Sequence, residues 1–151
     1  MSSVAAGLLM FRDTNVEREF FLVHPGGPFF VKKNEGSWSI PKGLPEPEES
    51  LLQTAQREFF EETAIRPTEP FYSLGAIQSK SRKTVHAWAF KGEWDPADGI
   101  VSNTFQLEWP PKSGKLTMFP EVDRAAWLNF ETALTLINPS QIMFLKRAKA
   151  L

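Results

Sequence analysis

The chain contains no cysteine, which excludes disulfides and any metal site built on thiolates and agrees with a reducing compartment. It also lacks an excess of positive charge. Seventeen Lys and Arg face eighteen Asp and Glu, for a net charge of −1, so the basic footprint of a general nucleic-acid binder is missing. No long apolar run is present. The longest, residues 4–11, falls far short of the roughly 20 residues that cross a bilayer. No basic stretch precedes it, so a signal peptide is not expected. Neither repeats nor a linker interrupt the chain. These absences describe a soluble, cytoplasmic protein with no membrane partner.

What is present is a chain of 151 residues, the size of one domain with a full core, spanning 1–151. Thirteen Phe and five Trp stand against a single Tyr, enough for a large aromatic core and some stacking surface. Residues 4–11 suit a strand buried on both faces. A charged connection at 12–19 leads to a second strand around Phe20-Phe21-Leu22-Val23. His24-Pro25-Gly26-Gly27-Pro28 is a breaker cluster and predicts a loop, and 29–33 is a short strand or a loop edge. Residues 71–79 and 84–90 read as strands on either side of the basic tip Lys80-Ser81-Arg82-Lys83. Residues 94–101 read as a loop and 104–109 as a strand. The loop at 110–115 has the length of a lid or a binding edge. A short strand is expected at 126–128, and helices at 131–137 and 139–150, the last with Asn138 as N-cap and Pro139 in first position. Strands before and after a central helix, with a closing helix, imply an α/β fold with a mixed sheet covered on its faces.

The most informative stretch is 43–65. Pro45 and Pro47 break its start. From Glu48 onward Glu, Leu, Gln, Ala and Arg dominate, with no Pro or Gly before Pro67, which predicts a helix over about 48–63. Glu48 and Glu49 are expected in its first turn, where negative charge suits the helix dipole. Leu52, Ala55 and Phe59 form an apolar stripe. Glu58, Glu61 and Glu62 fall at i, i+3 and i+4 and project from one patch. Arg57 can pair with Glu61 at i+4, but one cation does not neutralise three anions. The same spacing serves a solvated acidic helix face or a site for a hard divalent cation. An oxygen-only set suits Mg²⁺ or Mn²⁺ rather than zinc.

The wider pattern resembles the Nudix box: a Gly, five residues, Glu, seven residues, Arg-Glu, an apolar residue, any residue, Glu-Glu, any residue, Gly and an apolar residue. Gly43, Glu49, Arg57, Glu58, Phe59, Glu61, Glu62 and Ile65 fit it in register. The charged and Gly positions would coincide by chance in about one chain in 10⁵ of this length. Ala64 departs from it, standing where the family has Gly. If that position has φ > 0, Ala costs ~1–2 kcal/mol there. The run 38–43, from Trp38 to Gly43, also looks like the lead-in that many Nudix domains carry.

The resemblance implies a Nudix α/β/α sandwich and hydrolysis of a nucleoside diphosphate linked to some group X. It implies that Glu58, Glu61 and Glu62, with the Gly43 carbonyl, are metal ligands, and that Glu58 or Glu61 serves as general base. Glu49 is then a support for the loop, and Arg57 the ion-pair partner that holds Glu61 or Glu49. A further carboxylate from outside the box is common in the family. Glu121 is the first choice for that role and Glu108 the second. Lys42, Lys83 and Trp38 are the candidates for substrate contacts, with Lys32, Lys33, Lys80 and Arg82 behind them. Implied substrates are a nucleoside triphosphate or a dinucleoside polyphosphate. The alternatives are a diphosphoinositol polyphosphate or a 5′-RNA end, or a non-catalytic nucleotide sensor. The protein is expected to be a monomer or a homodimer.

Overall fold

The computed structural model describes residues 3–151. Its elements in chain order are β1 (Ser3–Asp13), β2 (Arg18–Pro25), β3 (Lys42–Gly43), α1 (Leu51–Thr63), β4 (Tyr72–Gln78), β5 (Lys83–Lys91), β6 (Thr104–Glu108), β7 (Leu116–Pro120), β8 (Val122–Asn129), α2 (Phe130–Leu136) and α3 (Ile142–Lys149). The main sheet runs β4-β5-β1-β2-β8 with β3 attached to β1. The β1–β5 pair is parallel and the others are antiparallel, so the sheet is mixed. Strands β6 and β7 form a separate hairpin.

Alternation along the central strands feeds two apolar layers. Ala6, Leu8 and Met10 of β1, with Phe21 and Val23 of β2, pack with Ala55 and Phe59 of α1. Leu9 and Phe11, with Phe20 and Leu22, pack with Ala133 of α2 and Phe144, Leu145 and Ala148 of α3. Helices thus cover both faces, and the architecture is the α/β/α sandwich expected. No helix is long and apolar enough to cross a membrane among the described residues.

The sheet forks. Strands β1 and β2 pair at Phe11↔Phe20, Arg12↔Glu19 and Asp13↔Arg18. Away from that hairpin, residues 39–43 run between them. Ser39 bridges to Val23, the Leu8 amide donates to the Pro41 carbonyl at 3.2 Å, and Gly43 and Lys42 pair with Ala6 and Gly7. A Cβ on Gly7 would lie 2.6 Å from the Pro41 carbonyl oxygen, so only glycine admits the wedge there. At the far edge, the β4–β5 register shifts between Ser73 and Ala76. Gly75 bulges there at φ 74°, and the Leu74 carbonyl accepts from Arg147 Nη1 at 2.7 Å.

Several sequence expectations shift. Helix α1 starts at Leu51, because Glu48 sits at φ 64° and Ser50 is the N-cap. Ser50 accepts from the Gln53 amide, and the Gln53 side chain accepts from the Ser50 amide, a full capping box. Glu48 and Glu49 therefore lie outside the helix rather than in its first turn. Of the two readings of 29–33, the loop edge is the one observed, with residues 29–32 in turns. The 110–115 loop is the tip of the β6–β7 hairpin, and β7 itself was not foreseen. Strand β8 extends well before residue 126. The closing helix divides into a 3₁₀ turn, Pro139–Gln141, and α3. Asn138 caps that turn, with Pro139 in its first positions.

Candidate functional site

The wedge strand β3 lies across the carboxylates of α1. The Lys42 amide donates to Glu62 Oε2 at 3.2 Å. Gly43 packs so closely on Glu58 that a Cβ would overlap its carboxyl group. Any side chain at position 43 would displace Glu58. Above these residues opens a cavity of about 510 Å³, lined among others by Lys42, Gly43, Glu58, Glu62, Asn103 and Glu121. Glu121 comes from the joint between β7 and β8. Its amide donates to the Asn103 carbonyl at 2.9 Å, and its own carbonyl accepts from Gly26. The Asn103 amide in turn donates to the Glu61 carbonyl at 2.8 Å. Three distant segments are thus pinned by backbone bonds around the C-terminal half of α1.

Burial dominates the electrostatics. Glu62 is pushed up to about 9, first by desolvation, then by the neighbouring Glu58 charge, with Glu121 adding to it and Lys42 opposing. Glu58 is raised as well, by burial and by Glu61, against the lowering pull of Arg57. Burial and the neighbouring carboxylate charges both favour the protonated form of these two groups. Arg57 is the counterweight. Its Nε and Nη2 grip Glu49 at 2.8 and 2.9 Å, and its Nη1 reaches Glu58 at 2.9 Å and Glu61 at 3.1 Å. Its Nη2 also donates to the Leu44 carbonyl at 3.0 Å. The guanidinium holds Glu49 down to about 2, and its carboxylate partners hold Arg57 firmly charged.

The sequence-nominated residues divide accordingly. Glu58, Glu62, Glu121, Lys42 and Gly43 line one cavity. Glu61 is beside it but is engaged by Arg57. Among the described residues no three His or acidic side chains converge as a ready metal cage. Lys83 lines a second cavity, which also contains Lys42. Glu108 lies on β6, outside the carboxylate cavity, where its Oε1 accepts from the Lys112 amide. Trp38 is a correction. It is 6 % exposed, donates from Nε1 to Asn34 Oδ1 at 2.8 Å, and packs edge-on against His24. Its ring is used up in the core and offers no stacking face to a base.

Sequence reasoning missed Asn103, whose Ser-Asn-Thr context carries no motif. It also missed His24, fully buried, with Nδ1 2.9 Å from Asp123 Oδ1 and Nε2 2.6 Å from the Lys33 carbonyl. This histidine ties the turns after β2 to β8, two residues from Glu121. Its position before a Pro-Gly-Gly-Pro run pointed only to a loop.

The donor set, carboxylates and a backbone carbonyl with no sulfur or imidazole, fits a hard divalent cation. A family model described as the NUDIX domain matches residues 1–148. Among solved structures, an Ap4A hydrolase from C. elegans in a binary complex is 22 % identical, covering 97 % of this chain and 96 % of that one, with a TM-score of 0.64. The NUDIX domain of Shewanella oneidensis NrtR complexed with ADP ribose is 16 % identical over 99 % of this chain and 88 % of that one, TM-score 0.67. A MutT protein from Methanosarcina mazei is 20 % identical over 97 % and 91 %, TM-score 0.59.

Proposed function

The chain belongs to the NUDIX domain family, and from that premise we propose that it is a metal-dependent pyrophosphohydrolase acting on a nucleoside diphosphate linked to a further group. The observation that carries the reading is the pair Glu58 and Glu62, buried together in a cavity with Glu121. Burying like charges is costly unless a cation or a proton compensates. A fold that merely needed a helix there would place apolar residues on that face.

Gly43 through its carbonyl, with Glu58, Glu61 and Glu62, would hold Mg²⁺ or Mn²⁺. The chemistry such a cation supplies is neutralisation of pyrophosphate charge and acidification of water. The chain's own residues do the rest. Arg57 clamps Glu49 to the Leu44 carbonyl and so holds the loop over the N-terminal side of the cavity. Its Nη1 also holds Glu58 and Glu61. Glu58, whose burial raises its proton affinity, is suited to accept a proton from water. Glu121 faces the α1 carboxylates from the opposite wall, where it can orient a second water. Lys42, which lines the same cavity and whose charge acts on Glu62, would meet the phosphates of a substrate.

The structural relatives named for Ap4A and ADP ribose agree with a nucleotide as substrate, a nucleoside triphosphate or a dinucleoside polyphosphate. The complete carboxylate set speaks against a module that only binds. The test is separation of the cleavage products by anion-exchange chromatography after incubation with nucleoside triphosphates, dinucleoside polyphosphates, nucleoside diphosphate sugars, diphosphoinositol polyphosphates and 5′-triphosphate RNA, with Mg²⁺ or Mn²⁺. Cleavage of at least one, abolished by a chelator and lowered at least ~10²-fold in Glu58→Gln, is expected. Binding of a nucleotide without cleavage of any compound would make the protein a sensor.

A further inference from the structure

His24 is fully buried, and a buried imidazole needs a partner at each nitrogen. The Lys33 carbonyl can only accept, so Nε2 carries the hydrogen in that 2.6 Å bond. Nδ1 lies 2.9 Å from Asp123 Oδ1, and that bond ties the carboxylate to the ring. Arg124 Nε reaches the same oxygen only at 3.9 Å. The histidine is therefore the closer of the two partners that hold Asp123.

Asp123 sits where strand pairing is irregular. Strands β2 and β8 pair His24 with Arg124 and Pro25 with Val122, so the register skips Asp123. An extra residue of this kind bends its strand and re-aims the residues beside it. Just beyond the bulge, the Gly26 amide donates to the Glu121 carbonyl at 2.9 Å, and the Glu121 amide donates to the Asn103 carbonyl at 2.9 Å. A Cβ on Gly26 would overlap the Pro120 carbonyl, so the two segments touch along their backbones. Glu121 itself lines the carboxylate cavity. The His24 ring also packs edge-on against Trp38, with ring centres 5.4 Å apart. The next residue, Ser39, exchanges both backbone bonds with Val23 at 2.9 Å each. That segment leads directly into Lys42 and Gly43, which line the cavity as well.

We propose that His24 is a positioning residue for Glu121. Through Asp123 it fixes the bulge in β8, and the bulge sets where the Glu121 carboxyl stands relative to Glu58 and Glu62. One ring thus braces the supports of two cavity walls, the β7–β8 joint and the segment before β3. That Glu121 serves hydrolysis rests on the pyrophosphohydrolase reading, whereas the brace itself does not.

The experiment separates the two ring nitrogens. An Asn amide places a donor near the Nδ1 position, toward Asp123, and a Gln amide places one near the Nε2 position, toward Lys33. In the first arm, amide hydrogen exchange of the metal-free full chain is followed by NMR. His24→Gln should speed exchange of the Gly26 and Glu121 amides at least ~10-fold, while His24→Asn stays within about threefold. Asp123→Ala, at an exposed position that leaves the ring in place, should match His24→Gln. The Gly92 amide, bonded to the Phe11 carbonyl at 3.0 Å far from the bulge, should keep its rate. No acceleration, equal acceleration at Gly92, or equal effects of Asn and Gln overturns the proposal. In the second arm, kcat and KM are measured with Mg²⁺ and the compound the protein cleaves fastest. His24→Gln should lower kcat at least ~10-fold with KM within about threefold, the mark of a misplaced group rather than lost binding. His24→Asn should recover most of that loss. Added to Glu121→Gln, His24→Gln should cost less than about twofold more, because both act through one carboxyl. Losses that multiply instead overturn the proposal. If exchange responds as expected but no compound is cleaved, the brace stands and the hydrolase reading falls.

Discussion

Glu62 lies under the Lys42 amide, buried beside Glu58, and its neutral form is favoured up to about pH 9. In the unfolded chain it would ionise near its ordinary value of 4.5. Between those values the folded state holds the extra proton, so raising the pH through this window removes stability. The metal-free protein should therefore melt at progressively lower temperature from pH 5 to pH 9, and Glu62→Gln should flatten that slope. Mg²⁺ should flatten it too, by replacing the proton. Differential scanning fluorimetry in chelator and in Mg²⁺ reads all three, and a parallel slope in the variant would reject the assignment. The two candidates for an outlying carboxylate separate in the same direct way. Glu121 shares the cavity, whereas Glu108 is held by the Lys112 amide on another hairpin. Glu121→Gln should lower the hydrolysis rate at least ~10-fold or raise the Mg²⁺ requirement. Glu108→Gln should stay within about twofold, as a surface change does. A Mg²⁺ titration of both variants decides it, and the reverse pattern would transfer the role to Glu108.

Helix α1 shows which parts of an element a sequence exposes. Its middle was legible because Arg57, Glu58, Glu61 and Glu62 keep a fixed spacing and nothing breaks the helix before Pro67. Its start was not. Composition favoured Glu48, but the backbone turns left-handed there and the Ser50–Gln53 capping box sets the first turn. The cap was present in the letters, yet a run of glutamates ahead of it gave a stronger propensity signal. Its end follows the expectation for a helix closed by a left-handed residue. Ala64 has φ 65° and ψ 14°, and its amide returns to the Phe60 carbonyl at 2.7 Å. Glycine adopts that conformation without the Cβ clash. Ala64→Gly should thus stabilise the protein by about 0.5–1 kcal/mol, the relief of left-handed strain less the added freedom of the unfolded chain. Urea denaturation measures it, and a loss of stability would mean that the Ala64 methyl packs more favourably than its backbone is strained.

At the scale of the whole molecule, the two covered faces were readable from the doubly apolar β1 and β2 and from the order of strands around one helix. The fork in the sheet was not, because residues 39–43 carry no strand signature and owe their place to Gly7 and Gly43. The β6–β7 hairpin was half legible. Its first strand alternates, but Leu116–Pro120 is short and exposed along most of its length. The far edge of the main sheet carries a different consequence. Strand β4 ends the sheet, and an open strand is a template on which another chain can extend by hydrogen bonding. Here the template is spoiled in its middle. Gly75 turns the backbone left-handed where the register shifts, and Arg147 from α3 occupies the Leu74 carbonyl. Arg147→Ala frees that acceptor while leaving the bulge in place, and Gly75→Val replaces the one residue type that bulges there without strain. Both variants should scatter more light on warming than the parent, Gly75→Val more strongly, at protein concentrations where the parent stays clear. The bulge in β4 is in this sense a solubility device, and it keeps copies of the chain from continuing one another's sheet.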